Sequence, residues 1–146
     1  MPTRHRLLCL LIAGLTVAWL ASPHAALAHV GAPYPVLLEQ PVGPYIASAL
    51  ADPDVGTGTF YVLVSLPDDQ SLPPGTSVTV WVEPEDGHQP ATGHPAEREE
   101  TRYGERFVAR VPFDAEGSWQ VRLVLDGPAG VGETSLAVRV TPSGIG

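Results

Sequence analysis

Apolar and polar residues alternate along most of the chain beyond residue 58, with the two-residue period that is typical of β-strands. The alternation is clearest over residues 59–66, 77–83, 106–111, 119–125 and 134–141. In each segment the apolar side chains fall on one face, as in an antiparallel sheet with one buried and one solvated face. No segment shows a helical period, so the pattern predicts an all-β protein.

Three further segments fit strands less clearly. Residues 34–39 and 45–52 are apolar but flank a proline-containing stretch, which suits an edge strand. Residues 97–102 predict a strand that turns at Tyr103 and Gly104 into the strand beginning at Arg106. Turn-forming Pro, Gly and Asp residues separate the segments. Seven to eight short strands at this spacing predict a single immunoglobulin-like β-sandwich, without the antibody-type cysteine pair.

The first 28 residues have the three parts of a signal peptide. Arg4 and Arg6 form a basic head, residues 7–21 are apolar, and Ala26 and Ala28 supply the small residues of a cleavage site. The apolar run is shorter than the ~20 residues of a membrane-spanning helix. We therefore expect an exported protein, periplasmic or extracellular, with a domain at 29–146 and no stable membrane insertion after cleavage. An uncleaved N-terminal anchor is the alternative.

Charge and composition exclude several classes of function. The formal net charge is −8, and two of the eight cationic residues lie in the leader, so the domain would repel nucleic acid. The only Cys is Cys9 and the only Met is Met1. The mature domain therefore has no disulfide and no soft sulfur ligand for Cu(I). It has no Lys for Schiff-base chemistry, no Gly-x-Ser-x-Gly elbow and no His-Glu-x-x-His motif, so we expect a protein that is not an enzyme.

Histidine carries the more specific hypothesis. Cleavage after Ala28 would give His29 a free α-amine, and this amine and the ring Nδ1 can bind one Cu(II) ion together. A second histidine would complete the set, and either His88 or His94 can supply it. Both lie in residues 86–100, the least apolar stretch, which is predicted to be an exposed, mobile loop. Asp86 or Glu85 is the candidate axial oxygen. The alternative is that the three histidines are unrelated surface residues.

The two tryptophans of the mature chain fall on opposite faces of their strands. Trp119 lies on the apolar face of its segment, which predicts core packing. Trp81 lies on the polar face of a valine-rich segment. It is therefore either a surface anchor for a partner or a side chain that packs under a loop or on the second sheet.

The chain resembles two groups of bacterial envelope proteins. Residues 113–123, 127–130 and 136–140, with Gly117, Trp119 and the alternating strand that ends at Val140, resemble the C-terminal hairpin of FixH/YtkA-like domains. That resemblance implies an immunoglobulin-like sandwich linked to cytochrome oxidase assembly and copper handling. An N-terminal His29 is also similar to the first residue of CopC-like periplasmic copper proteins, where it ligates Cu(II). The chain lacks the Met-rich segment of that group.

These features lead to one main expectation. The chain is predicted to be a non-enzymatic extracytoplasmic sandwich that binds Cu(II) or assists respiratory oxidase maturation, with an envelope or membrane protein as its partner. One alternative is a metal-free protein–protein interaction module of the cell envelope. A second is an oxidative copper enzyme using His29, although the mature chain has few aromatic residues for a substrate surface.

Overall fold

The computed structural model describes residues 32–67 and 70–142. The predicted leader, the cleavage site and His29 lie outside these residues. Nine strands make up the described part of the chain: β1 Tyr34–Val42, β2 Tyr45–Asp52, β3 Gly56–Ser65, β4 Ser77–Pro84, β5 Thr92–Pro95, β6 Glu97–Thr101, β7 Gly104–Phe113, β8 Gly117–Gly127 and β9 Gly130–Val140. Within the described residues, no helix has the length and apolar character needed to cross a membrane.

The strands form two antiparallel sheets that pack face to face. The five-stranded sheet has the order β1-β2-β3-β7-β6, and the four-stranded sheet has the order β5-β4-β8-β9. The all-β, immunoglobulin-like sandwich predicted from the alternation is confirmed. The strand count is one higher than the seven to eight predicted, because β5 was not foreseen.

Residues 86–100 differ from the prediction of a loop. They contain β5, which pairs with β4, and most of β6, which pairs with β7. The stretch is poor in apolar residues because both strands are short edge strands, and edge strands have one neighbour and little buried surface. The prediction of a loop was therefore wrong for residues 92–95 and holds for the segment before Thr92. Residues 97–101 form β6, as expected from the strand predicted at 97–102.

The inward positions of both sheets form one core. It is built from small and β-branched residues with a few aromatic rings, and the largest fully buried side chains are Trp119, Tyr45, Phe60, Phe107, Phe113, Leu123 and Leu125. Val78, Val80 and Val82 point inward from β4, and Val121 and Leu123 do so from β8. The core position predicted for Trp119 is confirmed, and this ring lies at the end of the sandwich where β4 ends and β8 begins.

Candidate functional site

A tight turn after β4 places His88 at one end of the sandwich. The Gly87 N–H donates to the Pro84 carbonyl at 3.0 Å, and Gly87 has a φ of 69°, a conformation that glycine adopts without strain. The His88 N–H then donates to Asp86 Oδ1 at 3.1 Å. This local hydrogen bond, common in Asp-containing turns, holds the Asp86 carboxylate next to His88.

Both nitrogens of the His88 ring contact carboxylates. Nδ1 is hydrogen-bonded to Asp86 Oδ1. Nε2 lies 3.0 Å from Asp114 Oδ1 and 3.2 Å from Asp114 Oδ2. Asp114 also accepts a hydrogen bond from Gln89 Nε2 at 3.1 Å. We call Asp86, His88 and Asp114 the carboxylate–histidine cluster. It joins the turn after β4 to the turn between β7 and β8.

Aromatic rings support the cluster from the core side. The His88 ring meets Trp119 edge to face, with centroids 5.7 Å apart and planes at 90°. Trp119 in turn packs on Phe113 at 4.9 Å and donates from Nε1 to the Ala115 carbonyl at 3.2 Å. Because Trp119 is packed in the core, it restricts the movement of the His88 ring on that side.

The carboxylates favour the charged form of His88. Hydrogen bonds to Asp114 and then Asp86 raise the pKa of His88 above its usual 6.5. The hydrogen bond from the His88 ring lowers the pKa of Asp86. Both directions follow from the pairing of an imidazolium with carboxylates at the surface, where His88 retains 33% of its side-chain exposure.

A small cavity of about 190 Å³ lies beside the cluster and has an acidic lining that includes Glu85, Asp86 and Glu116. Glu85 accepts a hydrogen bond from Gln120 Nε2 at 2.7 Å. Of the two candidate axial oxygens, Asp86 therefore lies on His88, whereas Glu85 pairs with β8. The excess of carboxylates over cations makes this end of the sandwich attractive to a cation.

His94 lies in a different environment. It is on β5, opposite Val80, and its Nε2 is 3.0 Å from Thr92 Oγ1. Partial burial lowers the pKa of His94. Trp119, the support of His88, lies opposite Pro84. Val80 and Pro84 are four residues apart on β4, or about 13 Å, so the structure does not bring the two histidines together.

Trp81 lies on the outer face of the four-stranded sheet, whereas His94 is opposite the inward-facing Val80 and therefore on the other face. Gly93 lies directly opposite Trp81, and a Cβ atom added at Gly93 would lie 2.8 Å from the indole Cε2. The Arg122 guanidinium stacks over the ring, 5.3 Å from its centroid. Contacts on both sides of the ring agree with the packed alternative for Trp81 better than with a free surface anchor.

The described residues supply only part of a metal site. Between residues 32 and 142, apart from 68 and 69, no group of three or more His, Cys, Asp or Glu side chains could hold a metal ion. Sequence reasoning did not identify Asp114, which is 26 residues from His88. Its only signal was its position in a turn after an alternating strand. On its Asp114 side the cluster offers the His88 Nε2 nitrogen and one carboxylate, which are donors that suit Cu(II) when further ligands complete the set, whereas Asp86 lies on the Nδ1 side of the ring.

Comparisons with known proteins show the fold. No family model and no curated protein matches the chain. Among solved structures, copper-reconstituted P19 from Campylobacter jejuni superposes with a TM-score of 0.61 at 9% identity, covering 77% of this chain and 99% of that one. A copper-bound variant of FetP from uropathogenic Escherichia coli strain F11 gives 0.58 at 10% identity, covering 75% and 97%.

A third similar structure is a DUF4426 family protein from Pseudomonas aeruginosa, with a TM-score of 0.56 at 12% identity over 71% of this chain and 96% of that one. Identities this low establish a shared sandwich fold but no correspondence between functional residues. The resemblance to FixH/YtkA-like domains finds no support in these comparisons. They show that the chain shares its sandwich fold with P19 and FetP.

Proposed function

We propose that this chain is an exported, non-enzymatic β-sandwich that captures Cu(II), with His88 and Asp114 as ligands from the described residues and His29 as the N-terminal ligand. The observation that carries the proposal is the position of the His88 ring between two carboxylates, beside an acidic cavity at the end of the sandwich. The fold adds support, because P19 and FetP, which share it, are copper-bound proteins.

The distance between His88 Nε2 and Asp114 Oδ1 fits two neighbouring ligands of one metal ion. Two ligand atoms about 2.0 Å from a metal, at right angles to each other, are about 2.8 Å apart. The observed separation is 3.0 Å. A Cu(II) ion would replace the proton between His88 Nε2 and Asp114.

The N-terminal segment is just long enough for His29 to reach the carboxylate–histidine cluster. Tyr34 lies in the same cross-strand row as Ala109, five residues before Asp114. Three strand spacings and five residues of rise separate Tyr34 from Asp114 by about 22 Å. The five residues from His29 to Tyr34 extend about 17 Å. Two metal–ligand bonds of about 2.0 Å each and the side chains span the remainder, so the site closes only with this segment nearly fully extended.

Binding would compete with protons. His88 ligates a metal only when its nitrogen is deprotonated, and the carboxylates raise its pKa. Cu(II) affinity should therefore increase as the pH rises from 5 to 8. An Asp114→Asn variant would ease the competition but lose a ligand oxygen, so we expect a smaller affinity loss than for His88→Ala.

Copper titration of the naturally cleaved protein tests the proposal. We expect His88→Ala to weaken Cu(II) binding about 10- to 100-fold. His94→Ala is the matched control and should change it less than about twofold. One extra residue before His29 should cost as much as His88→Ala, because it removes the free amine from that ring.

Removal of Gly31 and Ala32 tests the reach independently, since it shortens the segment by about 7 Å while keeping His29 at the N-terminus. We expect this variant to bind as weakly as His88→Ala. Equal binding by the wild-type, His88→Ala and extended proteins would overturn the copper proposal. It would favour the metal-free interaction module, for which the specific observation is that one edge of β9 pairs with no strand among the described residues.

A further inference from the structure

The two sheets have four edge strands, and three of them carry features that prevent pairing with another chain. β1 contains Pro35 and Pro41, a positive φ of 45° at Glu39 and irregular register with β2. β6 has only five residues, three of them acidic, and β5 has four residues and ends at Pro95. Prolines, bulges, charges and short length are the usual protections of an exposed edge.

β9 lacks three of these protections, since it is long and has neither a proline nor a bulge, and its only charged residues are Glu133 and Arg139. It has 11 residues without proline and pairs with β8 in unbroken register. Its two ends are fixed to the other sheet: the Tyr45 hydroxyl donates to the Gly130 carbonyl at 2.9 Å, and Thr141 exchanges backbone hydrogen bonds with Pro53 and Val55. Between these ends, from Glu133 to Arg139, the edge away from β8 pairs with no strand among the described residues.

The charges on this edge are complementary to themselves. If two β9 strands lie antiparallel with Leu136 at the centre, Glu133 of each strand stands opposite Arg139 of the other. Both side chains are exposed on the same face, two ion pairs form, and the half-buried Leu136 side chains meet at the axis. Directly opposed residues in an antiparallel pair have Cβ atoms about 5 Å apart, within reach of an ion pair.

The present surroundings of these two charges leave them available. Arg139 makes no salt bridge with any residue that the structure describes. Glu133 contacts Arg122 at 3.3 Å, with 65% of its side chain exposed. Such an exposed pair contributes little free energy, so Glu133 can exchange partners at small cost.

We propose that two copies of this chain associate edge to edge through antiparallel pairing of their β9 strands, related by a twofold axis at Leu136. The pairing joins two four-stranded sheets into one sheet of eight strands and is isologous, as in most homodimers. The net negative charge of each copy opposes association, but at 0.15 M salt this repulsion is screened beyond about 8 Å. The proposal does not depend on copper.

Sedimentation equilibrium of the metal-free protein between about 10 µM and 1 mM tests the dimer. We expect wild-type protein to dimerise, and Glu133→Arg and Arg139→Glu each to be monomeric, because either change places like charges opposite each other twice. An equimolar mixture of the two variants should form a heterodimer, since every position then faces its opposite charge. Arg110→Glu, on the other sheet, is the control and should dimerise like wild type.

Circular dichroism checks that each variant folds, and Glu133→Gln and Arg139→Gln provide milder substitutions, which should weaken the dimer about 3- to 10-fold. Monomeric wild-type protein at all concentrations would overturn the proposal. So would a mixture of the two reversed variants that stays monomeric while both are folded, or equal disruption by Arg110→Glu.

Discussion

His88 and His94 are six residues apart in the chain, and the fold gives them opposite environments. His88 lies in a turn at the end of the sandwich, between two carboxylates that stabilise its cation. His94 lies on an edge strand, where partial burial disfavours its cation and Thr92 is its hydrogen-bonding neighbour. The His88 ring packs against Trp119 of the core, whereas Trp81, opposite the residue before His94, lies on the outer face of the sheet.

The difference shows that position in the fold determines which histidine is suited to a cation. His88 has carboxylates around it and an acidic cavity beside it, whereas His94 is in a strand ladder whose neighbours are Thr92, Gly93 and Val80. Among the described residues, the side-chain hydrogen-bonding neighbour of His94 is the Thr92 hydroxyl and not a carboxylate. From the sequence, either histidine could be the second copper ligand. The structure favours His88 for that position in the copper proposal.

The largest effect is expected from removing the aromatic support of His88. Trp119 is 2% exposed and packs on Phe113, so Trp119→Ala should lower the free energy of unfolding by about 3–5 kcal/mol. Trp81→Ala, on the strand that pairs with the strand of His94, is the matched control and should cost about 1–2 kcal/mol because Trp81 is only half-buried. Urea denaturation measures both, and equal losses would contradict the distinction between the two regions.

A smaller effect is expected at Gly93. An alanine there would place its Cβ 2.8 Å from the indole of Trp81, so Gly93→Ala should destabilise the protein by about 1–3 kcal/mol. In a Trp81→Ala background the same change should cost much less, because the clashing ring is absent. The double-mutant cycle measures this coupling, and additive losses would show that the indole is not the reason for glycine.

The two histidines should also titrate in opposite directions. Following the ring protons of each by NMR, we expect the pKa of His88 above 6.5 and that of His94 below it. Asp114→Asn should lower the pKa of His88, because it removes the hydrogen bond with the largest effect, and should leave His94 unchanged. Titration of both rings at the ordinary value would show that neither environment persists in solution.

The smallest effect is the resulting dependence of stability on pH. His88, with its raised pKa, contributes stability that is present below its unfolded pKa and is lost as the pH rises through its folded pKa. His94, with its lowered pKa, has the opposite effect on the free energy of unfolding. Its neutral form is favoured in the fold, so stability is full above its unfolded pKa and is lost as the pH falls toward its folded pKa. Thermal unfolding of His88→Ala and His94→Ala between pH 5 and 8 should therefore differ from wild type with opposite slopes, and parallel slopes would contradict this.

Much of the fold could be predicted from the sequence. The alternation in residues 59–66, 77–83, 106–111, 119–125 and 134–141 identified five strands and their inward faces, because burial of one face imposes a two-residue period. Short edge strands carry no such signal, and β5, with the sequence Thr-Gly-His-Pro, was predicted as loop. The pairing of Gly93 with Trp81 depends on a neighbouring strand and is invisible in either segment alone.

The candidate site divides in the same way. The sequence showed that the domain lacks sulfur ligands and identified the candidate ligands His29, His88, His94 and Asp86. Asp86 and His88 are two residues apart, so their contact is local and follows from turn chemistry. Asp114 is 26 residues from His88 in the sequence. The two residues meet only because β4 pairs with β8 and the turn after β7 lies at the same end of the sandwich. The same arrangement separates His88 from His94. Such contacts depend on sheet order and packing, which a linear pattern of apolar and polar residues does not encode.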